Sequence, residues 1–267
     1  MSNPKVTVVT VCFNAIGEIE ETILSVINQT YQNIEYVIID GGSTDGTVDI
    51  IKKYNDHIST WISEPDHGIY DAMNKGVLRS TGQWVNFMNA GDSFCSDSVV
   101  EEFMSKVESD TTIAYGNTVL VYELGERFDN PDPLEGLSKG MIFGHQSAFI
   151  DLDYHKNHLF DTSFRSSGDY NFFYKSYIEG VKFQYIDISV AKYKAQGGMS
   201  SSNWEVVERE DARIHGIDHT VKWKLFFFLL KANIGIREFL KKYLPGKLVK
   251  QAKMYHFKKI GCDISRE

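Results

Sequence analysis

The sequence predicts an α/β fold in which a largely parallel central sheet lies between helices. Two runs rich in β-branched residues, 5–12 and 35–40, are typical of buried strands. Between them, apolar side chains recur at helical spacing over residues 18–29. A helix over 68–79 and a strand over 83–88 repeat the alternation. Strands that alternate with helices in this way favour a parallel sheet with right-handed crossovers.

The remaining elements follow from the same spacing rules. The turn-rich stretch GGSTDGT opens a short helix that ends near Tyr54, and residues 57–62 form a candidate third strand. Beyond residue 110 the pattern becomes mixed rather than alternating. We expect further strands near 112–122, 146–151 and 182–193, and helices near 96–108, 169–179 and 203–216.

Length and composition restrict the class of protein. A chain of 267 residues fits one large domain with an appendage better than two independent domains. The three cysteines are odd in number and far apart, which favours a reducing compartment over a disulfide framework or a zinc cluster. The N-terminus lacks the pattern of a signal peptide, and no run of about 18 apolar residues occurs. We therefore expect a cytoplasmic protein.

The net charge of −8 is divided unevenly along the chain. Residues 1–220 hold 16 Lys/Arg against 33 Asp/Glu, a net charge of −17. Residues 221–260 hold 11 Lys/Arg against the single Glu238, a net charge of +10. An acidic body with a basic tail indicates that the two parts face different surroundings.

Two polar clusters follow predicted strands. Asp40 closes one strand before a Gly-Gly-Ser turn, and Asp92 follows another strand after Asn89 and Gly91. In parallel sheets, ligands bind at the carboxyl ends of the strands. Asp40 could accept hydrogen bonds from a nucleoside, and Asp92 could hold Mg²⁺ or Mn²⁺ beside a diphosphate. Each aspartate could equally be a turn residue or a helix N-cap, and no dinucleotide-type or P-loop glycine motif accompanies them.

Several motifs in order make a more specific pattern. They are VTVVTVCFN (6–14), ETILSVINQTYQNIEYVIIDGGSTDGT (21–47), SEPDHGIYDAMNKG (63–76) and GQWVNFMNAGD (82–92), followed more weakly by HQSAFI (145–150), FRSSGDYNFFYK (164–175) and QGGMSS (196–201). Together they resemble family 2 glycosyltransferases, which have the A-type glycosyltransferase fold. The resemblance implies a nucleotide-sugar-binding half over 1–95 and an acceptor-binding half over 96–216. The tail, 217–267, is unmatched.

The resemblance also implies roles for individual residues. The donor, a UDP-sugar, would be bound by Phe13, Asn14, Asp40, Asp66, Gly91 and Asp92. Asp92 would in addition be the ligand of Mn²⁺ or Mg²⁺. Two positions depart from the family pattern, because the acidic pair at Asp40-Gly41 keeps only its first member and the acidic motif at 89–92 keeps one carboxylate.

Asp169 occupies the place of the family's catalytic base. A nucleoside diphosphate leaving group gains negative charge that a divalent cation can stabilise. The acceptor hydroxyl needs a base to take its proton. Such general base catalysis raises the reaction rate roughly 10²–10⁴-fold. Attack from the side opposite the leaving group inverts the anomeric centre. The alternative for Asp169 is a helix N-terminal carboxylate that the helix dipole favours.

The resemblance places a second group of residues near the acceptor or the diphosphate. They are His145, Gln146, Gly198, Met199 and Ser200. A histidine satisfied by backbone groups and a plain turn at 197–200 are the structural alternatives.

The basic tail alternates lysines with aromatic and aliphatic side chains over 221–260. This pattern is typical of a helix that lies on an anionic membrane surface, where each cation contributes about 1 kcal/mol. The alternatives are a helical hairpin packed on the acidic domain and a nucleic-acid contact, which the acidic body disfavours. Membrane contact suggests a lipid-linked saccharide acceptor for a bacterial surface polysaccharide, bound at the inner face of the cytoplasmic membrane.

Two other functions compete with sugar transfer. A sugar-phosphate nucleotidyltransferase of similar fold needs a cationic, glycine-rich first loop, and the loop here reads CFNAIGEIEE without a cation. A nonenzymatic sugar-nucleotide-binding or scaffold protein would fit the reduced acidic motif, but the presence of both Asp92 and Asp169 disfavours it.

Overall fold

The computed structural model describes residues 3–123, 125–194, 203–243, 259 and 263–264. The chain divides into two units. The first comprises Met1–Leu120 and Phe128–Lys194, and the second comprises Val121–Arg127 and Ala195–Glu267. The predicted acceptor half, 96–216, therefore contributes to both units.

The strands are β1 (Val6–Cys12), β2 (Ile34–Asp40), β3 (Thr60–Ser63), β4 (Trp84–Phe87), β5 (Ser93–Phe94), β6 (Ile113–Tyr122), β7 (Gly125–Asp129), β8 (Ala148–Asp151), β9 (Phe183–Lys194) and β10 (Asp263–Ile264). The α-helices are α1 (Ile19–Ile27), α2 (Thr47–Lys53), α3 (Ile69–Arg79), α4 (Val99–Met104), α5 (Leu152–Asn157), α6 (Gly168–Ile178), α7 (Trp204–Ile214) and α8 (Val221–Tyr243).

One mixed sheet organises the first unit. Its strands follow the order β6-β8-β4-β1-β2-β3. Strands β4, β1, β2 and β3 are parallel, as the alternation of strands and helices predicts. Strand β8 runs antiparallel to both β4 and β6, which accounts for the mixed pattern beyond residue 110. The predicted α/β fold is thus confirmed.

Burial of the central strand on both faces of the sheet accounts for its largely apolar sequence. All seven residues of β1 are buried, and helices α1 and α3 both contact this central strand. The apolar faces of α1 and α3 are buried as well, through Ile19 and Ile23 on one helix and Met73 and Val77 on the other. Burial of this kind contributes about 1.5–3 kcal/mol for each large aliphatic side chain.

The predicted bounds of some helices and strands differ from those in the structure. The third strand begins at Thr60 rather than at 57, because Asn55–His57 form a 3-10 turn. Helix α4 is shorter than the predicted 96–108. Strands β5 and β7 and helix α5 have no counterpart in the prediction, and the two-residue strand β10 lies in the tail that the sequence predicts to be helical. Short elements such as the two-residue β5 present too few residues for a periodic signal.

Strand register brings side chains of three strands together at one edge of the sheet. Cys12 at the end of β1 is level with Asp40 at the end of β2, and Asp40 is level with Ser63 at the end of β3. These are the carboxyl ends of parallel strands, where the sequence predicts ligand binding.

The second unit contains a pair of helices that pack through aromatic side chains. Phe227 of α8 is buried, lies 5.0 Å from the Trp223 ring and 6.0 Å from the Trp204 ring of α7, and carries the Arg209 guanidinium 4.7 Å above its face. Lys231 forms an ion pair with Glu205 at 2.9 Å. Within the described part of the chain, no helix has the length and apolar character that crossing a bilayer requires.

Candidate active site

Asp40 is enclosed by hydrogen-bond donors at the end of β2. Its Oδ2 accepts from the Gly42 N–H at 3.1 Å, the Ser43 N–H at 2.9 Å and the Ser63 hydroxyl at 2.6 Å. Its Oδ1 accepts from the Ser43 hydroxyl and from the Cys12 thiol. Burial alone raises the pKa of this carboxyl, but the bonds from Ser43 and Ser63 hold its pKa below the ordinary value.

This enclosure changes how Asp40 can take part in donor binding. The residue has no exposed surface, so the charged carboxylate organises the turn at 41–43 from beneath. The predicted direct contact with a nucleoside requires this network of hydrogen bonds to open. Cys12 is enclosed at the same point, and burial raises its pKa well above the ordinary thiol value, so it is an inert thiol.

The other residues expected at the nucleoside lie on the surface above this turn. Phe13 is 63% exposed, although it directly follows the fully buried β1. Asn14 has a φ of 48°, and its Oδ1 accepts from the Thr44 N–H at 3.0 Å. The Asn14 N–H donates to the Ser43 hydroxyl at 2.7 Å. The loops after β1 and β2 are thus cross-linked, with an exposed aromatic face beside them.

Asp66 lies directly against this turn. A Cβ placed on Gly41 would be 2.4 Å from Asp66 Oδ2, so only glycine permits the observed approach. Oδ1 of Asp66 accepts from the Gly68 N–H at 2.8 Å, immediately before α3 begins. The structure therefore brings Phe13, Asn14, Asp40 and Asp66 to one edge of the sheet.

Asp92 lies in a turn between β4 and β5 that helix α1 holds. The Thr22 hydroxyl donates to the Asp92 carbonyl at 2.7 Å and accepts from the Gly91 N–H at 3.1 Å. Gly91 has a φ of 96°, which favours glycine at this position. Asp92 Oδ2 accepts from the Gln146 side-chain amide at 3.0 Å. Burial raises the pKa of the Asp92 carboxyl to about 6, against the opposing effects of the His145 charge and the Gln146 bond.

His145 precedes Gln146 in a short 3-10 turn, His145–Ser147. It contacts Asp169, the residue predicted to be the base. Its Nδ1 lies 3.1 Å from Asp169 Oδ2, and its Nε2 lies 3.0 Å from the side-chain nitrogen of Asn89. Burial alone lowers the pKa of this imidazole, but the hydrogen bond and charge of Asp169, with the charge of Asp92, raise its pKa above the ordinary value.

Asn89 can serve both charge states of His145. Its Oδ1 is buried without a hydrogen-bond partner. Rotation of the amide by 180° places that oxygen against Nε2, which is the arrangement that a protonated imidazole requires.

Asp169 stands in the first turn of α6, with both carboxyl oxygens engaged. Oδ2 faces His145, and Oδ1 accepts from the Tyr70 hydroxyl at 2.9 Å. Burial alone raises the pKa of this carboxyl, but the bonds from His145 and Tyr70 and the His145 charge hold its pKa below the ordinary value. Asp169 is therefore ionised at neutral pH, as a proton acceptor must be.

The two carboxylates singled out in the sequence thus converge. Asp92 contacts Gln146, and Asp169 contacts the preceding residue, His145. This arrangement puts one carboxylate on each side of a single turn at the edge of the sheet. Both residues that the sequence predicts as base and as cation ligand are thus held by neighbouring residues of that turn.

The sequence did not single out several residues of this site. Tyr70, Thr22 and Asn89 lie within the motifs quoted above, but the motifs alone assign them no role. Tyr70 bonds to a residue 99 positions away, and Thr22 to one 70 positions away. Gly198, Met199 and Ser200 lie outside the described residues, so their predicted placement beside the diphosphate stays a prediction.

Asp92 could be one ligand of a cation whose other ligands come from the diphosphate and from water. Among the described residues, no group of three or more His, Cys, Asp or Glu side chains could hold a metal ion. A half-buried carboxylate whose pKa is raised is stabilised in its charged form by a neighbouring positive charge. Diphosphate oxygens and water would have to complete the coordination of Mn²⁺ or Mg²⁺.

The family model described as glycosyl transferase family 2 matches residues 7–175, which are more than half of the chain. The chain belongs to glycosyl transferase family 2. The resemblance of the motifs to this family is therefore confirmed. The match includes Asp40, Asp66, Asp92 and Asp169.

Related sequences are found in mycobacteria. An uncharacterized glycosyltransferase of Mycobacterium tuberculosis is 38% identical over 102 residues, which are 38% of this chain and 39% of that protein. The chain thus spans about two fifths of the length of this relative. A PGL/p-HBAD biosynthesis glycosyltransferase of Mycobacterium bovis is 27% identical over 226 residues, which are 79% of this chain and 83% of the relative.

Solved structures share the fold of this family 2 member. Staphylococcus aureus TarS 1–349 in complex with UDP-GlcNAc has a TM-score of 0.64 at 17% identity, covering 79% of this chain and 66% of that one. The mannosyltransferase PcManGT from Pyrobaculum calidifontis, in complex with GDP-Man and Mn²⁺, has a TM-score of 0.62 at 18% identity, covering 78% and 62%. These similarities confirm the A-type glycosyltransferase fold.

Proposed function

We propose that this protein is an inverting glycosyltransferase that moves a hexosyl group from a UDP-sugar to a lipid-linked saccharide. The product would be part of a bacterial surface polysaccharide such as O-antigen, capsule or exopolysaccharide. The observation that carries the proposal is the convergence of Asp92 and Asp169 on the turn at 145–147, at the edge of the sheet where Phe13 and Asp66 lie.

The reaction follows from the positions of these groups. The acceptor oxygen attacks the anomeric carbon while the bond from that carbon to the diphosphate oxygen breaks. The hydroxyl proton passes to Asp169, and the nucleoside diphosphate leaves on the opposite face. Asp169 suits this role because its lowered pKa keeps it ionised at neutral pH. Attack opposite the leaving group inverts the anomeric configuration.

Asp92 would hold Mn²⁺ or Mg²⁺ together with the diphosphate. Such a cation, when bound, neutralises the charge that develops on the leaving group. The side-chain amide of Gln146 donates to Asp92 Oδ2 and would hold the carboxylate in place. The Mn²⁺ in the PcManGT complex supports a divalent cation in this fold.

The surface above Asp40 favours binding of a nucleotide. Phe13 offers an exposed aromatic face on which a base can stack, and the Asn14 side chain lies beside it. The UDP-GlcNAc bound by TarS favours a uridine nucleotide, while the GDP-Man bound by PcManGT makes GDP-sugars the donors to compare.

A panel assay of nucleotide release tests this function. The protein is incubated with UDP- and GDP-sugars, a lipid-diphosphate-sugar analogue, and Mn²⁺ or EDTA. We expect UDP release that requires both acceptor and Mn²⁺, and NMR of the product should show an inverted anomeric centre. Pyrophosphate release from UTP and a sugar phosphate would instead indicate a nucleotidyltransferase. Absence of release with every donor would indicate a sugar-nucleotide-binding or scaffold protein.

The surface of helix α8 supports a lipid-linked acceptor. One face of α8 packs inward through Phe227, whereas the opposite face is exposed. That exposed face is apolar and follows a four-three spacing through Leu225, Leu229, Ala232, Ile236, Phe239 and Tyr243. Lys222, Lys224, Lys231 and Arg237 lie on the rest of the helix surface.

An anionic membrane surface fits this helix better than a second copy of the chain. An apolar stripe bordered by cations is typical of helices that lie in the membrane interface. Two α8 helices brought together would instead oppose their positive charges. We therefore propose that residues 221–260 hold the protein at the inner face of the cytoplasmic membrane, near its acceptor.

Vesicle flotation checks this proposal. Leu229 and Ile236 are 57% and 60% exposed, so the double variant L229E/I236E should fold normally. Because each buried aliphatic side chain contributes about 1.5–3 kcal/mol, we expect at least a tenfold loss of binding to vesicles with anionic lipid. The variant I178E, at a comparably exposed position of α6, should bind like the wild type. The proposal would be contradicted if L229E/I236E bound vesicles as well as I178E does. It would also be contradicted if the wild type formed a dimer through α8 and did not bind vesicles.

A further inference from the structure

The Tyr70 hydroxyl lies between two acceptors and has one proton to give. Tyr70 is the second residue of α3 and is 4% exposed. Its oxygen is 2.7 Å from the Ser166 carbonyl oxygen and 2.9 Å from Asp169 Oδ1. A carbonyl oxygen can only accept, and an ionised carboxylate can only accept. The single hydroxyl proton can therefore form a full hydrogen bond to only one of these two oxygens at a time.

The ring of Tyr70 is held in place, so that the hydroxyl proton is its mobile part. A Cβ on Gly168 would be 2.7 Å from the ring, which means that the ring rests directly on the backbone at the start of α6. Phe160 packs against it at 5.5 Å between ring centres. Rotation of the O–H bond alone changes which acceptor receives the proton.

The two orientations match the two protonation states of Asp169. When Asp169 is ionised, the hydroxyl donates to Oδ1. When Oδ1 carries a proton, the hydroxyl donates to the Ser166 carbonyl, and the phenol oxygen accepts from Asp169. Both arrangements use the observed heavy-atom positions without any movement of the ring.

We propose that Tyr70 is a positioning residue that holds Asp169 in the same place before and after it takes the acceptor proton. This inference rests on the proposed function of Asp169 as the base. The proton leaves the acceptor oxygen and binds Oδ1, and the Tyr70 proton turns from Oδ1 to the Ser166 carbonyl. No other bond to the phenol changes.

Two further polar groups at Asp169, among the residues that the structure describes, contact it differently. His145 contacts the other oxygen, Oδ2, from the turn before β8. The backbone N–H of Tyr170 bonds to the carboxylate from α6 and can only donate. Tyr70 thus offers a group that can both donate to Asp169 and accept from it.

Tyr70→Phe tests the inference because it removes the hydroxyl and keeps the ring. We expect kcat to fall about 10- to 100-fold, since a hydrogen bond to a charged group is lost, while the KM for the donor changes little. The Tyr70 bond lowers the pKa of Asp169, so its loss should move the acidic limb of the kcat/KM profile to higher pH. Steady-state kinetics from pH 4 to 9 measure both effects.

Tyr31→Phe is the matched control. Tyr31 is also buried, and its hydroxyl also donates to a backbone carbonyl, that of Pro4, at 2.7 Å. We expect this variant to keep the wild-type kcat and pH profile. Donor affinity and thermal unfolding of both variants show whether the fold is retained.

The outcomes separate this inference from the proposed function. Tyr70→Phe with wild-type kcat and pH profile, while Asp169→Asn is inactive, overturns the role of Tyr70 alone. Tyr70→Phe that loses donor binding together with transfer also overturns it, because a general structural role would then suffice. Wild-type protein with no transfer activity would overturn the proposed function itself.

Discussion

Asp169→Asn is expected to lower the kcat of sugar transfer by about 10²–10⁴-fold, because an amide cannot take the acceptor proton. Asparagine has nearly the same shape, and its oxygen can still accept from the Tyr70 hydroxyl. The fold and the affinity for the donor should therefore persist. Single-turnover transfer, donor titration and thermal unfolding measure the three quantities.

Asp153→Asn is the matched control for the base. Asp153 stands in the first turn of α5, as Asp169 does in α6, but it is exposed. If Asp169 served only the helix dipole, the two substitutions would have similar small effects of about 0.3–1 kcal/mol on stability. An Asp169→Asn enzyme that transferred sugar at the wild-type rate would remove the base from the mechanism.

Asp92→Asn is expected to abolish stimulation by Mn²⁺ and to lower kcat/KM for the donor by about 10²-fold or more, because a neutral amide is a weaker ligand for a hard cation. Gln146 can still donate to the asparagine oxygen, so the turn should be preserved. Calorimetry of UDP binding with and without Mn²⁺ measures the loss directly. Equal responses of variant and wild type to Mn²⁺ would show that Asp92 is not the ligand.

The same substitution should leave the protein as stable as before, or more so. The folded state raises the pKa of Asp92 from 3.8 to about 6, so the free energy of unfolding falls as pH rises between these two values, and the ionised group destabilises the fold at pH 7. An asparagine carries no charge to desolvate and removes this cost. Retained or increased free energy of unfolding together with lost activity is the pattern expected of a functional site. Denaturant titration at pH 7 provides the measurement.

The position of Asp40 shows how far sequence reasoning reached at this site. A strand that ends in an acid and a glycine-rich turn predicts a polar site at the sheet edge, and the acid is there. Its enclosure by Ser43, Ser63 and Cys12 depends on the register of β1, β2 and β3, because residues up to 28 positions apart become neighbours. Register is a property of paired strands, so one strand's sequence does not carry it.

The sequence by itself determined the alternating elements of the parallel sheet, membership of the family and the carboxylates to consider, because periodicity and ordered motifs are local or additive along the chain. The tertiary structure alone decided that Gln146 faces Asp92 while His145 faces Asp169, and that Tyr70 contacts Asp169 from another helix. It also joined α7 to α8 in one unit. Such contacts arise where crossovers bring distant segments within about 3 Å, and a one-dimensional pattern does not encode that distance.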